Sequence, residues 1–178
     1  MKITSKYLLF CLAASIIFFA CKKNNDNNNN ETVSTQDRNF ISQTALANSA
    51  EVQAGQLAST TSDTSIVKMF GQQMVTDHTT AQNDLKTLGN NLNVAVPDSV
   101  DSMHSSLMDS LKTLSGRAFD SVYIMNQITD HQTTIAKFQD EINSGNKTDV
   151  INYANKYLPK LQMHLQMADS VATVMNFK

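Results

Sequence analysis

Thiols are nearly missing from this chain, and the two present both sit at the front. Cys11 lies inside an apolar leader and Cys21 directly follows it. The body of the chain has no thiol left to pair, so no disulfide is expected even in an oxidising compartment. Tryptophan is absent and charged side chains are few, with Asn, Ser and Thr supplying much of the polarity. An excess of positive charge is missing as well. The formal net charge is −2 over 178 residues; without residues 1–20, which hold Lys2 and Lys6, 12 basic residues face 16 acidic ones, giving −4. A mildly acidic chain with no basic patch argues against a nucleic-acid partner. No segment alternates apolar and polar residues over a useful length, which excludes a sheet-based fold. Neither a Gly-x-Ser-x-Gly elbow nor a phosphate-cradling glycine loop occurs, so hydrolase and nucleotide-dependent chemistry have no support.

What is present begins with a leader. Lys2 and Lys6 precede an apolar run, Tyr7 to Ala20, short for a transmembrane helix, which needs roughly 20 apolar residues. The run ends Phe18-Phe19-Ala20-Cys21. A small residue then cysteine at this place resembles a bacterial lipoprotein signal, in which the cysteine is lipidated and becomes the new N-terminus, although the two phenylalanines are bulkier than that signal prefers. Residues 1–20 are expected to be a signal peptide and Cys21 the lipidation site. The membrane is then the partner reached through the lipid, and the location is the cell envelope, at the outer membrane facing the periplasm. Residues 21–36 read as a tether. Asn24 to Asn30 is all asparagine except Asp26, with no apolar face to offset the entropy of ordering.

The remainder, residues 37–176, shows helical periodicity throughout. A first helix is expected over about 37–60, with Phe40, Ala47, Ala54 and Ala58 on one face and Glu51 among them. The small residues there would admit a close neighbour. A second, capped by Ser62 or Asp63, runs to about Gly89 with Val67, Phe70, Met74, Ala81 and Leu85 on its stripe. A short helix over about 99–114 carries His104, Leu107 and Leu111. Long helices follow over about 117–143 and 148–175, the latter with a kink expected at Pro159. The fold class is all-α: an antiparallel four-helix bundle, ferritin-like, with a short extra helix between the second and third long ones covering one end of the bundle.

Each long helix places one ionisable group on its apolar stripe: Glu51, His78, His131 and His164. Counted at about 1.5 Å per residue from an end taken to hold both short turns, the four lie within roughly two helical turns of one another. A shared level on four facing helices is what a bundle-core metal site requires. Three imidazoles and a carboxylate suit one divalent ion, zinc, iron or manganese. Met74, Met163 and Met167 flank His78 and His164 at helical spacing. Core filler is their ordinary role, and a soft copper(I) site is the sharper alternative. Asp77 and Asp130 precede His78 and His131 and point about 100° away from them, outward or toward a neighbouring helix, where they can support a ligand from outside. The alternative to a metal site is a hydrogen-bonded polar cluster that only sets helix register. His104 is expected away from this level, at the bundle end.

Phe40 with Glu51, Met74-Val75-Thr76-Asp77-His78, His104, Leu114-Ser115-Gly116-x-x-Phe119-Asp120-x-x-Tyr123, Asp130-His131, Phe138, Glu141, Leu158-Pro159 and His164-Leu165 together resemble a ferritin-like outer-membrane-protein family, domain of unknown function 4142 (DUF4142). The resemblance covers about residues 38–171. The asparagine tether and leader look like those of Bacteroidetes-type lipoproteins. The likeness implies a ferritin-like bundle and an envelope location, and no activity. Di-iron enzymes of that fold use Glu-x-x-His on two helices. Here Val75, Ile128 and Leu161 stand three residues before the histidines, so ferroxidase or oxygenase chemistry is not carried over. A metal-dependent enzyme would need an open coordination position and a pocket.

Overall fold

The structure is a computed structural model in which residues 31–177 are described. The expected signal peptide, the lipidation site Cys21 and most of the tether lie outside the described residues. Five helices follow in order: α1 (Thr35–Thr61), α2 (Ser65–Leu92), α3 (Ser102–Lys112), α4 (Gly116–Ser144) and α5 (Thr148–Met175). No strand occurs among the described residues, and none of their helices is long and apolar enough to cross a membrane.

Local chemistry sets the helix ends. α1 starts two residues before the expected position because Ser34 closes a capping box. The Ser34 hydroxyl accepts from the Asp37 N–H at 3.1 Å, and the Ser34 N–H donates to the Asp37 carboxylate at 2.6 Å, satisfying two otherwise orphaned donors. Thr64, not Ser62 or Asp63, is the N-cap of α2. Ser62 instead accepts from the Thr64 N–H, and the Thr64 hydroxyl donates to Asp120 of α4. α5 runs unbroken through Pro159.

Residues 62–64 turn α1 into α2, and residues 145–147 turn α4 into α5. Each pair is an antiparallel hairpin, and the hairpins pack α1 on α4 and α2 on α5. The two short turns do not share an end, contrary to expectation. Thr64 bonds Asp120 at the start of α4, whereas the Asn146 N–H bonds Asp37 at the start of α1. The chain leaving α2 must therefore travel back along the bundle before α4 can begin. α3 lies in that return and packs across α1 and α4, burying Met108 and Leu111. It flanks the bundle and does not cap it. One long crossover between two hairpins is the ferritin-like connectivity. Recounted from the α1–α2 turn end, Glu51, His78, His131 and His164 lie about 15, 20, 22 and 17 Å down their helices. The common level survives because all four sit near mid-helix, where a count from either end agrees.

α1 and α2 approach most closely at two glycines. A Cβ at Gly55 would stand 2.6 Å from the carbonyl oxygen of Gly71, and one at Gly71 2.7 Å from that of Gly55. The apolar interior is divided in two. One cluster, with Phe70, Met74, Phe119, Tyr123 and Ile124, lies toward the α1–α2 turn. The other, with Phe40, Ile41, Leu85, Phe138, Tyr153 and Leu161, lies toward the α4–α5 turn. Between them runs a buried polar layer: Asn48, Glu51, His78, Gln127, His131 and His164.

Candidate metal centre

The three histidines converge in that layer. α2 supplies His78, α4 His131 and α5 His164, each from the apolar stripe and each at most 5% exposed. One ring nitrogen of each lies within 4.8 Å of the others. His131 Nε2 and His164 Nδ1 are 3.3 Å apart.

The neighbours of each ring decide which nitrogen carries hydrogen. His78 Nδ1 lies 3.0 Å from Asn48 Oδ1. That amide is oriented by its own bonds, since Asn48 Nδ2 donates to Gln82 Oε1, and Gln82 Nε2 donates to the Pro97 carbonyl. His78 therefore donates from Nδ1, and its Nε2 keeps a lone pair that is buried without a partner. His131 donates from Nδ1 to the Gln127 carbonyl at 2.9 Å. His164 donates from Nε2 to Asp77 Oδ2 at 2.8 Å. Asp77 is held in turn by Gln73 at 2.6 Å and by the Lys160 ammonium at 3.3 Å. All three N–H groups point outward to fixed acceptors and all three lone pairs point inward. Outward bonds to a carboxylate, a backbone carbonyl and an amide are how metal-ligating histidines are oriented.

Burial keeps the rings neutral, the form in which an imidazole can hold a metal. It pushes His78 well below the usual histidine value, helped by the neighbouring rings. It lowers His131 against the opposing bond to the Gln127 carbonyl. It takes His164 to about 4 despite Asp77. At neutral pH, two neutral rings oppose lone pairs across 3.3 Å, a contact that only a cation relieves without breaking an outward bond. Tetrahedral zinc with bonds of about 2.0–2.1 Å spaces its nitrogens about 3.3 Å apart. The His131–His164 pair has that spacing, and the widest separation needs one ring to move in by about 1.5 Å.

Glu51 stands at the same level but outside the convergence. Its Oε2 accepts from Gln127 Nε2 at 2.7 Å, and its Oε1 lies 3.9 Å from His131 Nδ1, the side facing away from the other rings. Burial raises its carboxyl to about 7, against the Gln127 bond. His104 is not at the bundle end. Because α3 flanks the bundle, His104 lines a cavity together with Glu51 and Asp130. Met74 belongs to the apolar cluster, while Met163 faces solvent beside a groove between α2 and α5. Asn48, whose side chain orients His78, and Gln127, whose backbone carbonyl orients His131 while its side chain holds Glu51, carried no sequence signal. An amide on a helix stripe reads as surface until its neighbours are known.

Residues 22–171 match the family described as "Domain of unknown function (DUF4142)". The chain belongs to that family. The domain is also similar in fold to a solved structure titled "Crystal structure of DUF305 fragment from Deinococcus radiodurans". That likeness has 10% identity and a TM-score of 0.70, and covers 79% of this chain and 97% of the other. At that identity it concerns fold alone. No curated protein matches this DUF4142 chain.

Proposed function

We propose that this DUF4142 protein is a lipid-anchored envelope protein that binds one divalent transition-metal ion through His78, His131 and His164, in a non-enzymatic role. The observation that carries the metal is the fixed set of outward N–H bonds, which leaves three buried lone pairs aimed at one point. Three neutral imidazoles favour zinc or iron(II) over manganese, which prefers oxygen ligands, and leave copper as the alternative. A fourth position is left for water or another small ligand. Glu51 stands outside the ligand set, bonded to the Gln127 side chain and to none of the three rings. The envelope location rests on the leader pattern ending at Cys21. A purely structural polar layer is the competing reading, favoured by the hydrogen-bond chain from His78 through Asn48 and Gln82 to the Pro97 carbonyl, which ties α1, α2 and the crossover together by itself.

The test is elemental analysis of the full-length chain purified in detergent without a histidine tag, beside a His78→Ala/His164→Ala variant. About one equivalent of a single metal in the parent, absent from the variant, is expected. A hundredfold excess of that ion over its Kd should raise unfolding free energy by about 2.7 kcal/mol. A metal-free parent that melts cooperatively and is unmoved by zinc, iron, manganese or copper would leave the histidines as structural residues.

A further inference from the structure

The triad is enclosed, so an ion must reach it by some route, and one side of the bundle offers both room and an unpaired carboxylate oxygen. A cavity of about 200 Å³ lies between α1, α3 and α4. Its mouth is rimmed by Gln43, Met103, Thr133 and Lys137, all exposed. Asp101, His104 and Asp130 stand in its walls, and Glu51 lines it at the bundle core. Glu51 is 7% exposed. Gln127 occupies its Oε2, and among the described residues no donor reaches its Oε1. That oxygen lies 3.9 Å from His131 Nδ1, on the outer side of the triad. Asp130 is bonded by Asn126 and has no cationic partner among the described residues.

The opposite approach, between α2 and α5, is less suited beside the triad. Asp77, the carboxylate there, is already paired with the Lys160 ammonium at 3.3 Å. The cavity beside His78, His164 and Asp77 has only about 10 Å³, room for a single water. The α1/α3/α4 cavity, twenty times larger at about 200 Å³, holds several waters, enough for an ion that keeps most of its hydration shell.

We propose that the α1/α3/α4 cavity is a loading vestibule that takes up a hydrated divalent cation, with Glu51 Oε1 as the carboxylate that passes it to the histidine triad. This rests on the triad being a metal site, and it assigns Glu51, Asp101 and Asp130 a role in the rate of uptake and not in the affinity of the final site. The carboxylates of Asp101 and Asp130 put negative charge in a low-dielectric cleft, which concentrates cations and raises the rate at which they arrive.

The experiment follows cobalt(II) uptake, by its visible absorption, into metal-depleted full-length chain. The parent is compared with Glu51→Gln, Asp130→Asn and Lys160→Gln. Each carboxylate neutralised in the vestibule should slow initial uptake by about fivefold at low salt, with the deficit shrinking as salt is raised and the final cobalt content unchanged. Asp130→Asn lies in the cavity wall and carries the test should Glu51→Gln fold poorly. Unchanged rates in both carboxylate variants would overturn the vestibule, as would acceleration confined to Lys160→Gln, which would put the route between α2 and α5. A parent that takes up no cobalt would instead overturn the metal site itself, and the vestibule with it.

Discussion

Single side chains decide the chemistry, and Asp77 shows how. It makes no approach to the convergence point, yet its bond to His164 Nε2 at 2.8 Å determines that Nδ1 faces inward. Asp77→Asn can present an amide N–H to the same nitrogen and favour the opposite tautomer. Loss of an outer partner of this kind costs 10–100-fold in metal affinity, and competition with a chromogenic chelator should show a loss in that range with the fold intact by circular dichroism. Asp77 was legible in sequence as a residue pointing away from His78, either outward or toward a neighbouring helix. That its target would be His164 was not, because the answer depends on which helix lies beside α2. The same limit applies to Glu51. Rise per residue gives its height, but the side of the His131 ring it meets is set by packing angles of a few tens of degrees, which an apolar stripe does not resolve.

Helices and their pairing carry the precision of the site. The α1–α2 hairpin is drawn together by Gly55 and Gly71, whose carbonyl oxygens take the space a side chain would fill. Gly71→Ala gains helix propensity, worth up to about 1 kcal/mol, but sets a Cβ against backbone that cannot yield without separating the helices. Overpacking of this kind costs typically 1–3 kcal/mol. A lowered melting temperature is expected, together with weaker metal binding, because Asn48 on α1 and His78 on α2 ride on the same pairing. A variant as stable as the parent would mean that α1 and α2 can separate freely. The four long helices were plain in sequence, since each repeats its apolar residues at helical period. The turn arrangement was not. Nothing in residues 93–101 announces that the chain doubles back along the bundle, and only the packing of Met108 and Leu111 against α1 and α4 fixes that path.

Across the whole molecule, titration pulls stability in two directions. The start of α1 is tied to the α4–α5 turn through Asp37, which accepts from the N–H groups of Asn146 and Lys147. Burial would raise the Asp37 carboxyl, but these bonds and those of Ser34 hold it at about 2. Glu141 lies beside it, 1% exposed, with both oxygens unpartnered. Burial and the Asp37 charge raise it to about 7. Its folded-state pKa exceeds its unfolded value of 4.5, so its contribution is full below about 4.5 and is lost as pH rises toward 7. Glu141→Gln removes that loss, and the variant should melt above the parent by a margin that grows from pH 4.5 to pH 7. A constant margin would contradict a buried, protonated Glu141. The histidines act oppositely. Their folded values are lowered, so their contribution is present above about 6.5 and lost as pH falls toward 4.

The division of the interior by a polar layer also has a consequence in time. Each apolar cluster draws on all four long helices, but each hairpin is local in sequence and can form from a continuous stretch of chain. The triad cannot, because it takes one ring from the first hairpin and two from the second. Under the proposed function, a chain being made would hold no ion until residue 164 has emerged and the hairpins have docked. Metal acquisition would then be the last event in the life of the nascent molecule, and the ion kept would be one drawn from the compartment in which folding finishes.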